Sequence, residues 1–494
     1  MKTLLAALLA LALGAPAAHA ALPPNFFDEL VTSVGSPTAL AFTPDGRMLI
    51  TRQTGTLRVF FGTLLATPAI TFPSSDICTN FERGLLGVAV DPAFATNNFI
   101  YLFYTHRVDT STCSSSTTPK NRVSRFVLPP SNVIDPASEV VLIDGMPSTN
   151  GNHNAGDVRF GPDGLLYVSV GDGGCDYVAG GGCGGSNDAS RDQHTLIGKI
   201  LRVTRDGAIP PGNPFQGPGT ARCNVTGGTT PGNKCQETFA WGLRNPFRFA
   251  FDPNAAGVRF FINDVGQNER EEIDLGQAGA DYGWNCREGS ATNNTSGPCN
   301  PTPPGMVNPV YEYSHDTSIP GTTSPASCNA ITGGAFVPNG LWPGYDGAYL
   351  FSDYTCGWIV RLTGTSPPFT ASDFATSLGG DSAVALVFGP RAGSQALYYT
   401  TYSGGGQIRR IYFDQSGNNP PTAVIGANPL SGSPPLNVTF SAAGSSDPDP
   451  GDTLTYFWSF GDGTAEAQTT AVTIQHTYGT LGTYTATLRA RDNH

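Results

Sequence analysis

Lysine is nearly absent from this chain of 494 residues: Lys2, Lys120, Lys199 and Lys234 are the only four. Charge of either sign is sparse, at 13% of residues, about half the usual share. No basic block occurs, and 27 basic residues face 39 acidic ones for a net charge of −12, which argues against a nucleic-acid partner. Beyond the first twenty residues no apolar run approaches the ~18 residues needed to span a bilayer, so no membrane span is expected. No Cys-x-x-Cys pair is present to suggest zinc. Chain breakers, by contrast, are abundant. Gly 61 and Pro 40 make up about a fifth of the chain, above the roughly 12% of average usage. That density interrupts helices, while 39% hydrophobic and 10% aromatic residues exclude a disordered chain. A turn-rich, all-β protein remains.

Residues 1–20, MKTLLAALLALALGAPAAHA, read as a signal peptide. Lys2 is the positive start, Leu4 to Leu13 the apolar stretch, and Ala18-His19-Ala20 the cleavage site. The mature protein is therefore expected to be secreted or periplasmic. Ten cysteines fit an oxidising compartment, and an even count favours disulfides. Pairs close in sequence, Cys175–Cys183, Cys223–Cys235, Cys286–Cys299, Cys328–Cys356 and Cys78–Cys113, are the simplest set, although sequence alone does not determine connectivity.

One pattern recurs six times: an apolar strand, a Pro turn, and a second β-rich strand. It reads LAFTPDGRMLIT at 40–51, VAVDPAFATNNFIYLFY at 88–104 and VRFGPDGLLYVSVG at 158–171. It returns as FAFDPNAAGVRFFIND at 249–264, GAFVPNGLWPGYDGAYLFSD at 334–353 and LVFGPRAGSQALYYTT at 386–401. Hairpins repeating without intervening helices predict a six-bladed β-propeller over 21–415. The repeat prolines lie 48, 70, 91, 85 and 52 residues apart, against the about 40–50 of plain blades. The middle blades therefore carry insertions, and function is expected among loops of blades three to five. A Gly/Pro/Asn linker, 416–422, leads to a Thr- and Ser-rich tail, 423–494, whose seven short strand-like runs suggest an immunoglobulin-like β-sandwich.

Four constellations could carry chemistry. His153, in the loop 150–156 (NGNHNAG), is either an exposed general base or a packing histidine in a turn. Asp172, in Gly171-Asp172-Gly173-Gly174, could orient that imidazole, bind a metal, or simply form an Asp-Gly turn. Arg244 and Asn245, in WGLRNPFRFAFDP, suit an oxyanion or carboxylate, or pack on strand carbonyls. Gly266 and Gln267, in NDVGQNEREEIDL, could turn carbonyl oxygens toward calcium; the alternative is a solvated acidic loop with Glu269, Glu271 and Glu272 in water.

Together GNHNAG, FGPDGLLYVSVGDGG, IGKILRV, WGLRNPFRFAFDP, DVGQNEREEIDL and DYGWNCREG resemble the glucose/sorbosone dehydrogenase family over roughly residues 35–413. Its best-known members are soluble sugar dehydrogenases that use pyrroloquinoline quinone (PQQ) on a six-bladed propeller. It also includes hedgehog-interacting-like proteins without established oxidoreductase chemistry. The resemblance implies that His153 takes the proton of a sugar's anomeric hydroxyl and that Asp172 orients it. It implies that Arg244 and Asn245 contact the quinone, and that Gly266 and Gln267 hold calcium through main-chain carbonyls. Glu82, in FERGLLG, falls where the glucose enzyme has a Gln beside the cofactor. A small-molecule sugar is then the substrate, and a dye or a periplasmic redox protein the electron acceptor.

This chain also departs from the family. The glucose enzyme supplies a Lys from blade five and two Arg from the next strand to the PQQ carboxylates. Here Asp353-Tyr354-Thr355-Cys356-Gly357 and LGGDSAVAL, 378–386, contain no basic residue. Arg202 and Arg361 are the substitutes on offer. The departure motivates a second reading, a non-catalytic propeller that binds carbohydrate or protein. The tail, with YFWSFGDG at 456–463 and GTYTA at 482–486, resembles a polycystic kidney disease (PKD) domain, a spacer or a module that binds a surface or polymer. In it Trp458 is expected to anchor the core, and Asp447, Asp449 and Asp452 are either a calcium cluster or a solvated turn.

Overall fold

The computed structural model describes residues 11–13, 21–108, 113, 119–174, 189–414, 419–449 and 451–493. Most of the segment read as a signal peptide, and the Cys175–Cys183 pair, lie outside the described residues. Two compact units emerge, one built on Asp28–Tyr412 and the other on the tail from Phe413 onward.

The larger unit is a propeller of six antiparallel sheets, each basically four-stranded and ordered from an inner to an outer strand. The inner strands are Pro37–Phe42, Leu85–Val90, Ala155–Phe160, Pro246–Phe251, Ile331–Phe336 and Ser382–Arg391, for blades one to six. Each touches the next, and the sixth returns to the first, closing the ring. The sixth blade borrows its outer strand, Phe26–Ser33, from the start of the chain, where it pairs with Gln407–Phe413. This exchange fastens the two ends of the repeat together and leaves no open edge inside the ring.

Each predicted hairpin forms the inner two strands of a blade. Alternation is weaker than a one-sided sheet would show, because each blade packs against two neighbours. Leu166–Val170, Lys199–Val203, Phe260–Asp264 and Tyr349–Asp353 are buried at every position. The core is accordingly a ring of wedges. Leu57, Val88 and Leu102 fill the space between blades one and two. Val123, Val158 and Val168 fill the next, and Tyr167, Phe249 and Phe260 the one after.

The strand order decides where chemistry can gather. The inner strands all start on one face, and the second strands all end there. The loops entering each blade and the turns between its second and third strands therefore share that face. These are the positions of His153, Arg244 and Asn245 on entry, and of Asp172, Gly266 and Gln267 in the turns. Cys78–Cys113 and Cys328–Cys356 each staple an entry loop to a turn of the same blade on this face. Cys223–Cys235 and Cys286–Cys299 close the insertions of blades three and four.

The tail folds into two sheets. One holds Gly426–Asn428, Leu436–Ser441 and Thr473–Tyr478; the other holds Thr455–Ser459, Ala467–Thr469 and Tyr484–Arg491, with Leu11–Leu13 parallel beside the last. Among its described residues the tail contributes six strands, against the seven strand-like runs expected. Trp458 is fully buried between the sheets with Phe440 and Phe460. Asp447, Asp449 and Asp452 bring carboxylate oxygens within 4.8 Å of one another on a partly exposed turn, where Asp449 also receives the Asn419 side-chain amide at 2.8 Å.

Candidate active site

His153 lies at the entry to blade three with φ +52°, and Ala155 has the same value. Left-handed backbone at two non-glycine residues is unfavourable and persists only where surroundings enforce it. Here Asn245 reaches over from blade four and its Oδ1 accepts the Ala155 N–H at 3.1 Å. The Gly173 N–H donates to the His153 carbonyl at 3.1 Å. A side chain on Gly171 would collide with that carbonyl, so the approach of the two loops requires glycine there.

The imidazole is buried, with Nδ1 2.7 Å from Asp172 Oδ1. Asp172 is fully buried, and its carboxyl is held below the usual carboxylate range. Burial by itself would raise it, but the neighbouring His153 and Arg244 charges and the Trp284 hydrogen bond outweigh that. An ionised carboxylate only accepts, so Nδ1 is the donor, and in the neutral imidazole the lone pair is then on Nε2. The Gly174 N–H at 2.9 Å and Trp284 Nε1 at 3.0 Å complete the carboxylate's partners.

Arg244 stacks over Trp284, its Cζ 5.5 Å from the ring centroid. One of its terminal nitrogens, NH1, donates to the carbonyls of Val265 at 2.9 Å and Gly266 at 2.5 Å, while its buried Nε has no partner. Asp264 fixes this turn by accepting the backbone N–H groups of Arg244 at 2.9 Å and Asn245 at 2.6 Å. Burial drives the Asp264 carboxyl up to about 7.

The Gly266-Gln267 turn is held from behind. Glu288 Oε1 lies 2.6, 2.9, 2.9 and 3.1 Å from the backbone nitrogens of Gln267, Asn268, Glu269 and Arg270. Glu271, fully buried, bonds the His315 ring at 2.6 Å and the Ile331 N–H at 2.9 Å. Glu271 and Glu272 are therefore interior, because the strand Arg270–Leu275 is covered on both faces; only Glu269 of that trio is exposed. Glu82 is half-buried, docked by its N–H to the Gly151 carbonyl at 3.0 Å, and its Oε2 is buried without a partner.

The structure thus brings His153, Asp172, Arg244, Asn245 and the 266–267 turn into one bonded network, with Glu82 docked on the His153 loop. Trp284 and Glu288 were not assigned roles from the sequence. They sit in DYGWNCREG, whose Trp and Glu beside Cys286 were the available signal. Their insertion leaves blade four on the opposite face and climbs along the outer strand of blade three. There the Tyr282 N–H donates to the Trp241 carbonyl at 3.0 Å and that of Trp284 to Gly242 at 2.9 Å. The substitute cations are employed elsewhere. Arg202 bonds Asn213 at 2.8 Å and stacks near Phe239. Arg361 lies over the Tyr345 ring at 3.9 Å and bonds the Gly344 carbonyl.

Comparison with known proteins bears on this geometry. The family model described as Glucose / Sorbosone dehydrogenase matches residues 34–352, and that of the PKD domain matches 418–494. Quinoprotein glucose dehydrogenase B of Acinetobacter calcoaceticus is 29% identical over 274 residues, 53% of this chain and 52% of that protein. The HIPL1 protein of Arabidopsis thaliana is 30% identical over 291 residues, 54% of this chain and 38% of that protein. The chain thus spans about half the length of the first relative and less of the second. The PQQ-bound aldose sugar dehydrogenase of Streptomyces coelicolor shares the fold, with a TM-score of 0.56 at 22% identity, covering 80% of this chain and 100% of that one. No helix among the described residues is long and apolar enough to cross a membrane.

Proposed function

The chain belongs to the glucose/sorbosone dehydrogenase family, and from that premise we propose that it is an exported sugar dehydrogenase. The reaction is oxidation of an aldose at its anomeric carbon to the lactone. The observation that carries this reading is the His153–Asp172 pair on the loop face of the propeller, whose Nδ1 hydrogen bond directs the lone pair of the neutral imidazole to Nε2.

His153 Nε2 removes the proton of the anomeric hydroxyl. Asp172 keeps the imidazole in the right tautomer and stabilises the imidazolium that forms. Trp284 excludes water from that carboxylate and holds its second oxygen. Arg244 offers a guanidinium where negative charge develops on an acceptor oxygen.

The residues present are compatible with PQQ and calcium. Arg244 Nε is a buried donor without a partner, and a carbonyl has two lone pairs, so Gly266 can serve both Arg244 and a cation. Arg244 and Asn245 would hold the quinone, and the carbonyls of Gly266 and Gln267 the calcium. When bound, PQQ supplies the carbonyl carbon that accepts hydride. Glu82, docked on the His153 loop with a buried unpartnered Oε2, would lie beside the cofactor, as the resemblance implies.

The absence of basic residues from 353–357 and 378–386 favours the second reading, a binding propeller related to the hedgehog-interacting-like proteins. One experiment separates the two. Reconstitution with calcium and PQQ, an aldose panel with dye reduction, and titration of cofactor binding should give micromolar or tighter binding and turnover. No binding at micromolar PQQ would overturn the enzyme reading.

A further inference from the structure

Arg248 is the third residue of the blade-four inner strand and only 1% exposed. Its side chain crosses the propeller axis. NH2 donates to the carbonyl of Thr38 in blade one at 2.7 Å and to that of Leu86 in blade two at 3.4 Å; NH1 donates to the Phe247 carbonyl at 2.7 Å. Thr38 and Leu86 are both second in their inner strands, so the guanidinium lies at the loop face of the channel. Tyr402, in the blade-six turn on the same face, feels its charge.

No carboxylate among the described residues forms an ion pair with Arg248. Asp157 is the nearest to attract it, yet its Oδ2 already serves Arg159 at 2.9 Å and the Phe249 N–H at 3.1 Å. Arg248 Nε is buried with no partner. Burial weakens its hold on the proton, and a desolvated cation without an anion is costly. Asp157 is thus engaged by Arg159 and the Phe249 N–H, and Arg248 has no carboxylate partner among the described residues. Its hydrogen bonds reach blades one and two, while the loop-face segments of blades five and six, 320–331, 353–357, 376–383 and 402–406, have no Lys or Arg.

We infer that Arg248 is a ligand-binding residue, a cation near the axis of the mouth that receives a carboxylate of the bound quinone in place of the basic residues that blades five and six lack. The inference rests on the PQQ reading of the site. An anion entering here gains Nε as a donor and neutralises the buried guanidinium. The arginine that bridges blades four, one and two would thus also set the depth at which a polycarboxylate rests.

The test measures equilibrium binding without turnover, by fluorescence titration of PQQ and of its neutral trimethyl ester in the presence of calcium. Arg248→Gln, which keeps donors but loses charge, should weaken PQQ binding about 10- to 100-fold, as for a charge-assisted hydrogen bond. Arg248→Lys should stay within about threefold of wild type, and the ester should bind all three proteins equally. Equal PQQ affinity in wild type and Arg248→Gln overturns the inference, as does an equal loss for the ester. Should the Gln variant not fold, a crystal structure of the wild-type complex decides: a PQQ carboxylate within about 4 Å of the guanidinium supports the inference, and one held elsewhere overturns it. Absence of PQQ binding by wild type is a separate result, which removes the sugar dehydrogenase reading itself.

Discussion

The mouth of the propeller has two unequal halves. Where blades three and four meet, ionisable groups are dense and each is fixed by another: His153 by Asp172, Asp172 by Trp284, the Arg244 backbone by Asp264, and the 267–270 turn by Glu288. Where blades five and six meet, the turns satisfy themselves. Asp353 accepts the Tyr313 hydroxyl at 2.7 Å, the Ala330 N–H at 2.9 Å and the Thr355 hydroxyl at 2.7 Å, and Tyr354 packs near Tyr402. The first half has the pre-arranged dipoles and charges that chemistry requires. The second has a scaffold without Lys or Arg in its loop-face segments, which on the proposed reading relies on Arg248 near the axis for its positive charge. On the proposed reading, reaction and anchoring rest on different groups of one opening, and each can be broken alone.

The largest effect belongs to the first half. His153→Ala should lower kcat about 100- to 10,000-fold, the usual contribution of a positioned base, while PQQ titration stays near wild type. Loss of binding together with turnover would mean that the two halves are not separable. A smaller effect is expected from Trp284→Phe, which keeps an aromatic ring for Arg244 but removes the donor to Asp172 Oδ2. One hydrogen bond to a charged group is worth about 1.5–3 kcal/mol, and since Asp172 acts through His153 only part should reach the rate. A fall of about tenfold in kcat, with an altered pH profile and unchanged PQQ affinity, is the outcome to look for by steady-state kinetics.

The unequal legibility of the halves has a physical origin. That His153, Asp172, Arg244 and Gly266 share one face was legible because a propeller sends every entry loop and every second turn to that face, so repeat position converts directly into spatial position; the roles proposed for them come from the family resemblance. Gly266 shows how local this information is: a Cβ there would collide with the Arg270 carbonyl, a turn requirement visible within five residues. Trp284 and Glu288 escaped because their insertion starts on the wrong face and reaches the site only by hydrogen-bonding up the outer strand of another blade. Glu271 and Glu272 looked solvated in EREEI, since nothing in a charged run announces that both faces of its strand will be covered. Arg248 received no reading from the sequence, because its partners lie 210 and 162 positions away.

Lys199 tests how tightly the first half is closed. It starts the third strand of blade three, fully buried, and donates to the carbonyls of Ala189 at 3.2 Å, Ser190 at 3.0 Å and Ile197 at 2.7 Å. Burial brings its ammonium down from 10.5 to about 7. The unfolded chain keeps that proton up to about 10.5, whereas the folded one releases it near 7. The unfolded state therefore binds more protons in this window, and stability gained from Lys199 should rise with pH between those values and be lost as pH falls through 7. Chemical denaturation across that range should show a slope of up to about 1.4 kcal/mol per pH unit in wild type, absent in Lys199→Met. An unchanged slope in the variant would mean that the lysine environment is wetter than its three carbonyl partners imply.

The smallest expected effect is the sharpest on the second half. Arg361 is on blade five and was a candidate to replace the missing clamps, but its guanidinium lies flat over Tyr345 and bonds the Gly344 carbonyl. Its strand, Trp358–Thr363, begins at the loop face, and Arg361 pairs with Leu350, next to the first residue of the neighbouring strand and so toward the opposite face. A cation there is too deep along the blade to meet a ligand at the mouth, and solvent screens what remains. Arg361→Gln should therefore leave PQQ affinity and kcat within about twofold of wild type, while costing less than about 1 kcal/mol of stability through the lost cation–π contact. A tenfold loss of PQQ affinity in this variant, with folding intact, would place the anchoring charge on blade five and take it away from Arg248.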